Sequence, residues 1–119
     1  STEKFILMNE LSCADESFLY IERAQSFWTR FCGLMGRKRL AGQQALLIAP
    51  CSSVHMCFMR FPIDVIYLDR DYRILKLVRN LRPWTGFSFC LSAWAVLEVS
   101  AGTIETLGFK EGMKFKIET

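Results

Sequence analysis

Two apolar runs, Ile63 to Leu68 (IDVIYL) and Arg73 to Val78 (RILKLV), flank the tetrapeptide Asp69-Arg70-Asp71-Tyr72. Short runs rich in β-branched and aliphatic residues on either side of a polar tetrapeptide predict a β-hairpin with a four-residue turn. This is the strongest local signal in the chain.

The rest of the sequence is cut into pieces of similar length. Residues 5–8 (FILM), 18–24 (FLYIERA), 45–49 (ALLIA), 54–59, 94–99 (WAVLEV) and 114–117 each read as a short strand. Asn9 to Ser17 is polar and reads as a turn, Pro50 ends one strand, and Pro62 breaks the pattern because proline donates no ladder hydrogen bond. Residues 80–89 (NLRPWTGFSF) read as a loop from their proline and glycine. Ser26 opens a helical pattern in which Phe27, Phe31, Leu34 and Met35 share a face, and Gly33 and Gly36 weaken its end. Ser100 is positioned to cap a second helix through Leu107, with Gly108 as its left-handed end. The expectation is a mostly-β α+β fold: a partly closed barrel of about seven short strands with two short helices. Residues 1–119 form one domain on this reading.

With 51% apolar residues the chain can fill a core, which excludes a disordered protein. Fifteen basic and twelve acidic side chains are too balanced to imply nucleic-acid binding, and no zinc finger, helix-turn-helix, Walker-type or dinucleotide loop is present. The five cysteines are odd in number and lack CxxC spacing, so they read as reduced thiols of a cytoplasmic protein. The N-terminal stretch lacks the basic start and apolar run of a signal peptide, and no window is apolar enough to span a membrane.

Chemistry, if there is any, belongs to residues 50–69 (PCSSVHMCFMRFPIDVIYLD), which hold the single histidine, two cysteines, two methionines and two carboxylates. If 54–59 is a strand, His55, Cys57 and Met59 alternate onto one face, a thiolate–imidazole–thioether set suited to Cu(I). The competing reading makes them core or pocket wall, since methionine and cysteine fill interiors well. Cys51 or Cys57 next to His55 would make an activated thiolate, with Asp64 or Asp69 orienting the base. Asp64 interrupts an apolar run, so its carboxylate requires hydrogen bonds or a cation such as Arg60 or Arg30. It is either a structural acid fixing the turn after Pro62 or a ligand-binding acid in a cleft.

A second surface is Arg79 to Phe87, which places two arginines and two aromatics together, with Trp94 beyond. It reads as a stacking or partner-binding loop, or as aromatics plugging one end of the barrel.

Several blocks in register resemble a known family. They are Arg30 to Arg37 (RFCGLMGR), the 50–69 block, the proline-ended loop at 79–83, VLEVSAG at 96–102, and LGFKEGMKFKI at 107–117. Together they resemble domain-of-unknown-function family 192, also called uncharacterised protein family 0127, across residues 18–117. The resemblance implies a small β-rich domain found in bacteria and archaea, often secreted, with no established activity to carry over. The last block also resembles a turn shared by several small β-barrels, in which an LG-x-x-x-GD stretch leads into a strand; Met113 stands where many of these have Asp.

The expectation is therefore a bacterial, non-catalytic binding module for a small ligand or a partner peptide. Its cleft would be bordered by His55, Met59, Arg60 and Asp64 with Trp84 as lid. No cofactor, nucleic acid or membrane is called for. The alternatives are a soft-metal protein using His55, Cys57 and Met59, and a thiol enzyme using Cys51 or Cys57.

Overall fold

The computed structural model describes residues 3–8, 17–24, 43–56 and 59–119. Nine strands and one helix occur among them: β1 (Glu3–Met8), β2 (Phe18–Arg23), β3 (Gln44–Ile48), β4 (Ser53–His55), β5 (Ile63–Leu68), β6 (Ile74–Leu81), β7 (Phe87–Phe89), β8 (Ala95–Ser100), α1 (Thr103–Leu107) and β9 (Lys114–Glu118). Seven strands form one sheet in the order β6-β5-β8-β3-β2-β1-β9, and β4 and β7 form a separate two-stranded ribbon. Within the large sheet β2 and β3 run parallel and the remaining neighbours antiparallel.

The central strands are buried on both faces, which is why IDVIYL and AVLEV are apolar nearly throughout. Alternation divides β5 between two cores. Ile66 and Leu68 join Phe5, Leu97, Ile104, Phe109 and Phe115 on one face, while Ile63, Val65 and Tyr67 join Leu46, Val54, Met56 and Met59 on the other. Completely buried aliphatic side chains of this kind stabilise the fold by roughly 1.5–3 kcal/mol each relative to exposure.

The hairpin of β5 and β6 forms as expected, with Leu68 opposite Ile74 and a turn one residue longer than the sequence implied. Asp69 organises it. Its Oδ1 accepts the N–H groups of Asp71 (2.8 Å) and Arg73 (2.9 Å), and Tyr72 takes a left-handed φ of 64°.

The large sheet is not closed into a barrel. Its edge strands β6 and β9 meet only at one end, through a single bridge between Arg73 and Lys114. There the Ile74 N–H donates to Met113 O (2.7 Å), and the Gly112 N–H donates to Ile74 O (2.8 Å). Backbone bonds thus close the 109–113 turn without an Asp at position 113. The expected partly closed barrel is corrected for a physical reason: the ladder between the edges stops after this bridge. The chain beyond β6 instead turns away to pair β7 with β4.

The second expected helix is present, but its start differs. Gly102, not Ser100, is the N-cap, and the Ser100 hydroxyl lies 2.9 Å from that of Thr103. Gly108 ends the helix in the left-handed region at φ 73°, as expected. The helix expected from Ser26 and all of the turn expected at 9–17 except Ser17 lie outside the described residues.

Candidate ligand-binding site

The ribbon turns two aromatic residues outward. Its register sets Ser53 opposite Phe89, Val54 opposite Ser88 and His55 opposite Phe87. Strand alternation therefore points Val54 and Ser88 into the second core and leaves His55, Phe87 and Phe89 outward. Phe87 and Phe89 are 63% and 51% exposed, with ring centroids 6.1 Å apart and planes tilted by 42°. The Lys76 ammonium lies 5.7 Å from the Phe89 ring and donates to its carbonyl oxygen at 2.9 Å.

Met56 joins the ribbon to the neighbouring loops. Its N–H donates to Gly86 O (2.9 Å), and its carbonyl accepts the N–H groups of both Trp84 (2.8 Å) and Met59 (3.0 Å). This junction gathers four of the sequence-identified residues. His55 and Trp84 are exposed, Arg60 is exposed just after the Met56–Met59 turn, and Met59 is buried beneath them. The Trp84 loop is held tightly: the Gly86 N–H donates to Arg82 O at 3.0 Å, and a Cβ at Gly86 would lie 2.3 Å from that oxygen. Trp84 itself has φ 67° and is 57% exposed, and Phe87 is 63% exposed, which goes against the alternative in which these aromatics plug one end of a barrel.

Asp64 belongs elsewhere. It is 1% exposed, and its oxygens accept the N–H groups of Asn80 (Oδ1, 2.8 Å), Gly102 (Oδ2, 3.0 Å) and Ile104 (Oδ2, 3.0 Å). It thus satisfies two N-terminal donors of α1 from a distant strand and ties them to the bend in β6. Backbone donors fill the role that the sequence assigned to Arg60 or Arg30; Arg30 lies outside the described residues.

The expected strand over 54–59 ends at His55. The alternation that would line up His55, Cys57 and Met59 therefore does not reach Met59: His55 faces outward while Met59 is 4% exposed in the second core. Cys57 lies outside the described residues. Among the described residues no group of three or more His, Cys, Asp or Glu side chains could hold a metal ion. Cys51 and Cys90 are half-buried; Cys51 Sγ donates to Ser53 O at 3.2 Å, and Cys90 Sγ lies 3.5 Å from Ser92 Oγ.

Beneath the ribbon, the Tyr67 and Ser88 hydroxyls are buried, and among the described residues neither makes a hydrogen bond of good geometry. Burial pushes the Tyr67 phenol up to about 12, against the opposing influence of the Ser88 hydroxyl. A shallow open depression of about 430 Å³ lies at the hairpin tip, bordered by Asp69, Arg70, Asp71, Ser92, Ala93 and Trp94. The Arg70 guanidinium already covers the Trp94 ring there, 4.1 Å from its centroid.

Phe89 and Lys76 were not identified from sequence. The alternation Phe87-Ser88-Phe89 was the available signal, obscured by the nearby Pro83 and Gly86, which mark a loop.

Comparison with known proteins agrees with the resemblance. The family DUF192, described as "Uncharacterized ACR", matches residues 11–117. A UPF0127 protein of Thermococcus gammatolerans is 34% identical over 98 residues, covering 78% of this chain but only 63% of its own length. UPF0127 protein PF1050 of Pyrococcus furiosus is 34% identical over 94 residues, covering 75% of this chain and 78% of its own. These relatives are archaeal, so the expectation of a bacterial protein does not follow from the family. A crystal structure from Sinorhizobium meliloti, of a protein provisionally described as a transcription regulator, superposes with a TM-score of 0.85. It covers 98% of this chain and 93% of that one at 23% identity, a likeness of fold. Among the described residues no helix is long and apolar enough to cross a membrane. On the profile match and the curated relatives together, the chain belongs to the uncharacterised DUF192/UPF0127 family.

Proposed function

We propose that this chain is a non-catalytic binding module whose recognition surface is the outward side of the β4–β7 ribbon. His55, Trp84, Phe87 and Phe89 make the contact area, Arg60 borders it, and Met59 supports it from below. The observation that carries this reading is Trp84. A left-handed backbone costs a non-glycine residue roughly 1–2 kcal/mol, and more than half of this indole is exposed. A more than half-exposed aromatic held in that backbone conformation is the kind of residue that recognition surfaces concentrate. Small ligands prefer concave sites, and the ribbon presents a row of half-exposed rings, so a peptide segment of a partner protein fits it better. Asp64 is assigned to the fold, because three backbone donors engage its carboxylate.

The test is a peptide-display selection on the wild-type protein, with hits mapped by amide chemical shifts. Hits that move residues 53–56 and 84–89, and fail to bind Trp84→Asn, are the expected result. Asparagine tolerates the left-handed conformation, so this variant keeps the fold while removing the ring. Hits mapping elsewhere, hits indifferent to Trp84→Asn, or a selection that yields none would sink the reading.

A further inference from the structure

The charges of this chain are segregated along the sequence, which the near balance of the totals conceals. Residues 24–97 hold ten of the fifteen basic side chains and three of the twelve acidic ones, whereas the two flanks hold five basic and nine acidic. The three acids of the middle segment are Asp64, Asp69 and Asp71. Asp64 is buried against three N–H groups, and Asp69 is engaged by the hairpin turn. The two stretches that build the ribbon and its loops, 50–63 and 72–97, contain no carboxylate at all. They contain Arg60, Arg73, Lys76, Arg79 and Arg82, besides His55.

Arg60 and Arg82 are exposed; Arg60 follows Met59, whose N–H donates to Met56 O, and Arg82 lies in the loop that carries Trp84. Lys76 is already committed to Phe89. Glu98, just beyond this segment, is buried beneath the ribbon on the Tyr67 side of the sheet and does not reach the outer surface. An exposed apolar centre with guanidinium groups near its border is complementary to carboxylates arranged around an apolar anchor.

We propose that the partner is an acidic peptide segment, with aliphatic or aromatic side chains seated on Phe87 and Phe89 and its carboxylates on Arg60 and Arg82. This rests on the ribbon being the recognition surface. The geometry favours such a segment over a single-stranded nucleic acid. Base stacking wants accessible, parallel ring faces, whereas these rings are tilted by 42° and an ammonium lies against Phe89. Guanidinium pairs bidentately with carboxylate, and half-exposed rings supply the area that charged contacts at a border do not.

The test uses a twelve-residue peptide alternating Glu or Asp with Leu and Trp, its Gln/Asn counterpart and its Lys counterpart. Phosphatidylglycerol vesicles and a single-stranded oligothymidylate serve as competing probes. The acidic peptide is expected to bind about ten-fold more tightly than the amide counterpart, to weaken with added salt, and to move the amides of 53–56 and 84–89. The double variant Arg60→Glu/Arg82→Glu, shown to be folded by its unchanged thermal transition, should lose the acidic peptide and gain the Lys peptide. Equal binding of the acidic and amide peptides at the ribbon would overturn the acidic partner and leave the recognition surface standing. Binding of the vesicles or the oligonucleotide in preference to the acidic peptide would overturn it in favour of that class. If no peptide moves the ribbon, both proposals fall. Absence of the specificity reversal in the double variant would overturn the roles of Arg60 and Arg82.

Discussion

Replacing Asp64 by Asn should damage the fold far more than a change of one atom usually does. The carboxylate offers two oxygens to three backbone donors at 2.8–3.0 Å in a place that solvent does not reach. An amide keeps one acceptor oxygen and turns an N–H group toward at least one donor. The loss is one or two charge-assisted hydrogen bonds, each of about 1.5–3 kcal/mol, and the donor left facing the amide has no water to turn to. About 3 kcal/mol of destabilisation follows as a central figure. For a chain of 119 residues the unfolding entropy is about 0.25 kcal/mol per degree, so the transition should fall by about 12 °C. Thermal and urea unfolding followed by circular dichroism give the two numbers independently. Amide exchange should also accelerate at Asn80, Gly102 and Ile104 ahead of the rest of the sheet. A variant within about 1 kcal/mol of wild type, with these three amides still protected, would refute the assignment of Asp64 as the tie between β5, the end of β6 and α1.

Other outcomes follow from the same geometry. Burial raises the Tyr67 phenol from 10.0 to about 12, so the folded state holds a proton that the unfolded chain releases. The associated stability is complete below pH 10 and is lost as pH rises through 12, a change of about 2 kcal/mol, and Tyr67→Phe should remove the late step in the 295 nm phenolate titration. Glu3 is held below its usual value of 4.5 by the hydrogen bond from Arg23 (2.7 Å), so their contribution is present above pH 4.5 and lost as pH falls through the lowered value. The pair is partly exposed, and Glu3→Gln should cost at most about 1 kcal/mol at pH 7 and nothing in strong acid, which unfolding at both pH values checks. Gly86→Ala forces the 82–86 turn apart, because the new Cβ meets backbone atoms; a loss of about 1–3 kcal/mol and a displaced Trp84 amide signal are expected. Trp84→Asn should shift the thermal transition by no more than a few degrees, since asparagine tolerates the left-handed backbone and the residue is more than half exposed.

The parts of the fold legible in the sequence were those governed by local chemistry. IDVIYL is a strand with the boundaries expected of it, a turn follows from Asp69, and Gly108 ends α1. What escaped depended on contacts distant in sequence. Nothing local to Ser100 announces that the donors of α1 are taken by Asp64, 38 and 40 residues away. Sheet closure depends on whether β6 and β9 continue past Arg73 and Lys114, which no periodicity records. At the site, His55, Arg60 and Trp84 were identified from residue type alone, and the backbone of Met56 brings them together. Met59 was expected beside His55 on a strand face, but β4 is only three residues long, so the side chain enters the core instead.

The shortness of the ribbon has a consequence for how such a surface changes over time. Only Val54 and Ser88 of its six strand residues point into the interior, while the large sheet keeps its own ladders and both cores on other strands. The outward positions 53, 55, 87 and 89 can therefore drift through many side chains with small effects on folding, since exposed substitutions away from special features seldom exceed about 0.5 kcal/mol. Selection on partner choice and selection on stability act on different atoms here, and one scaffold can carry many specificities.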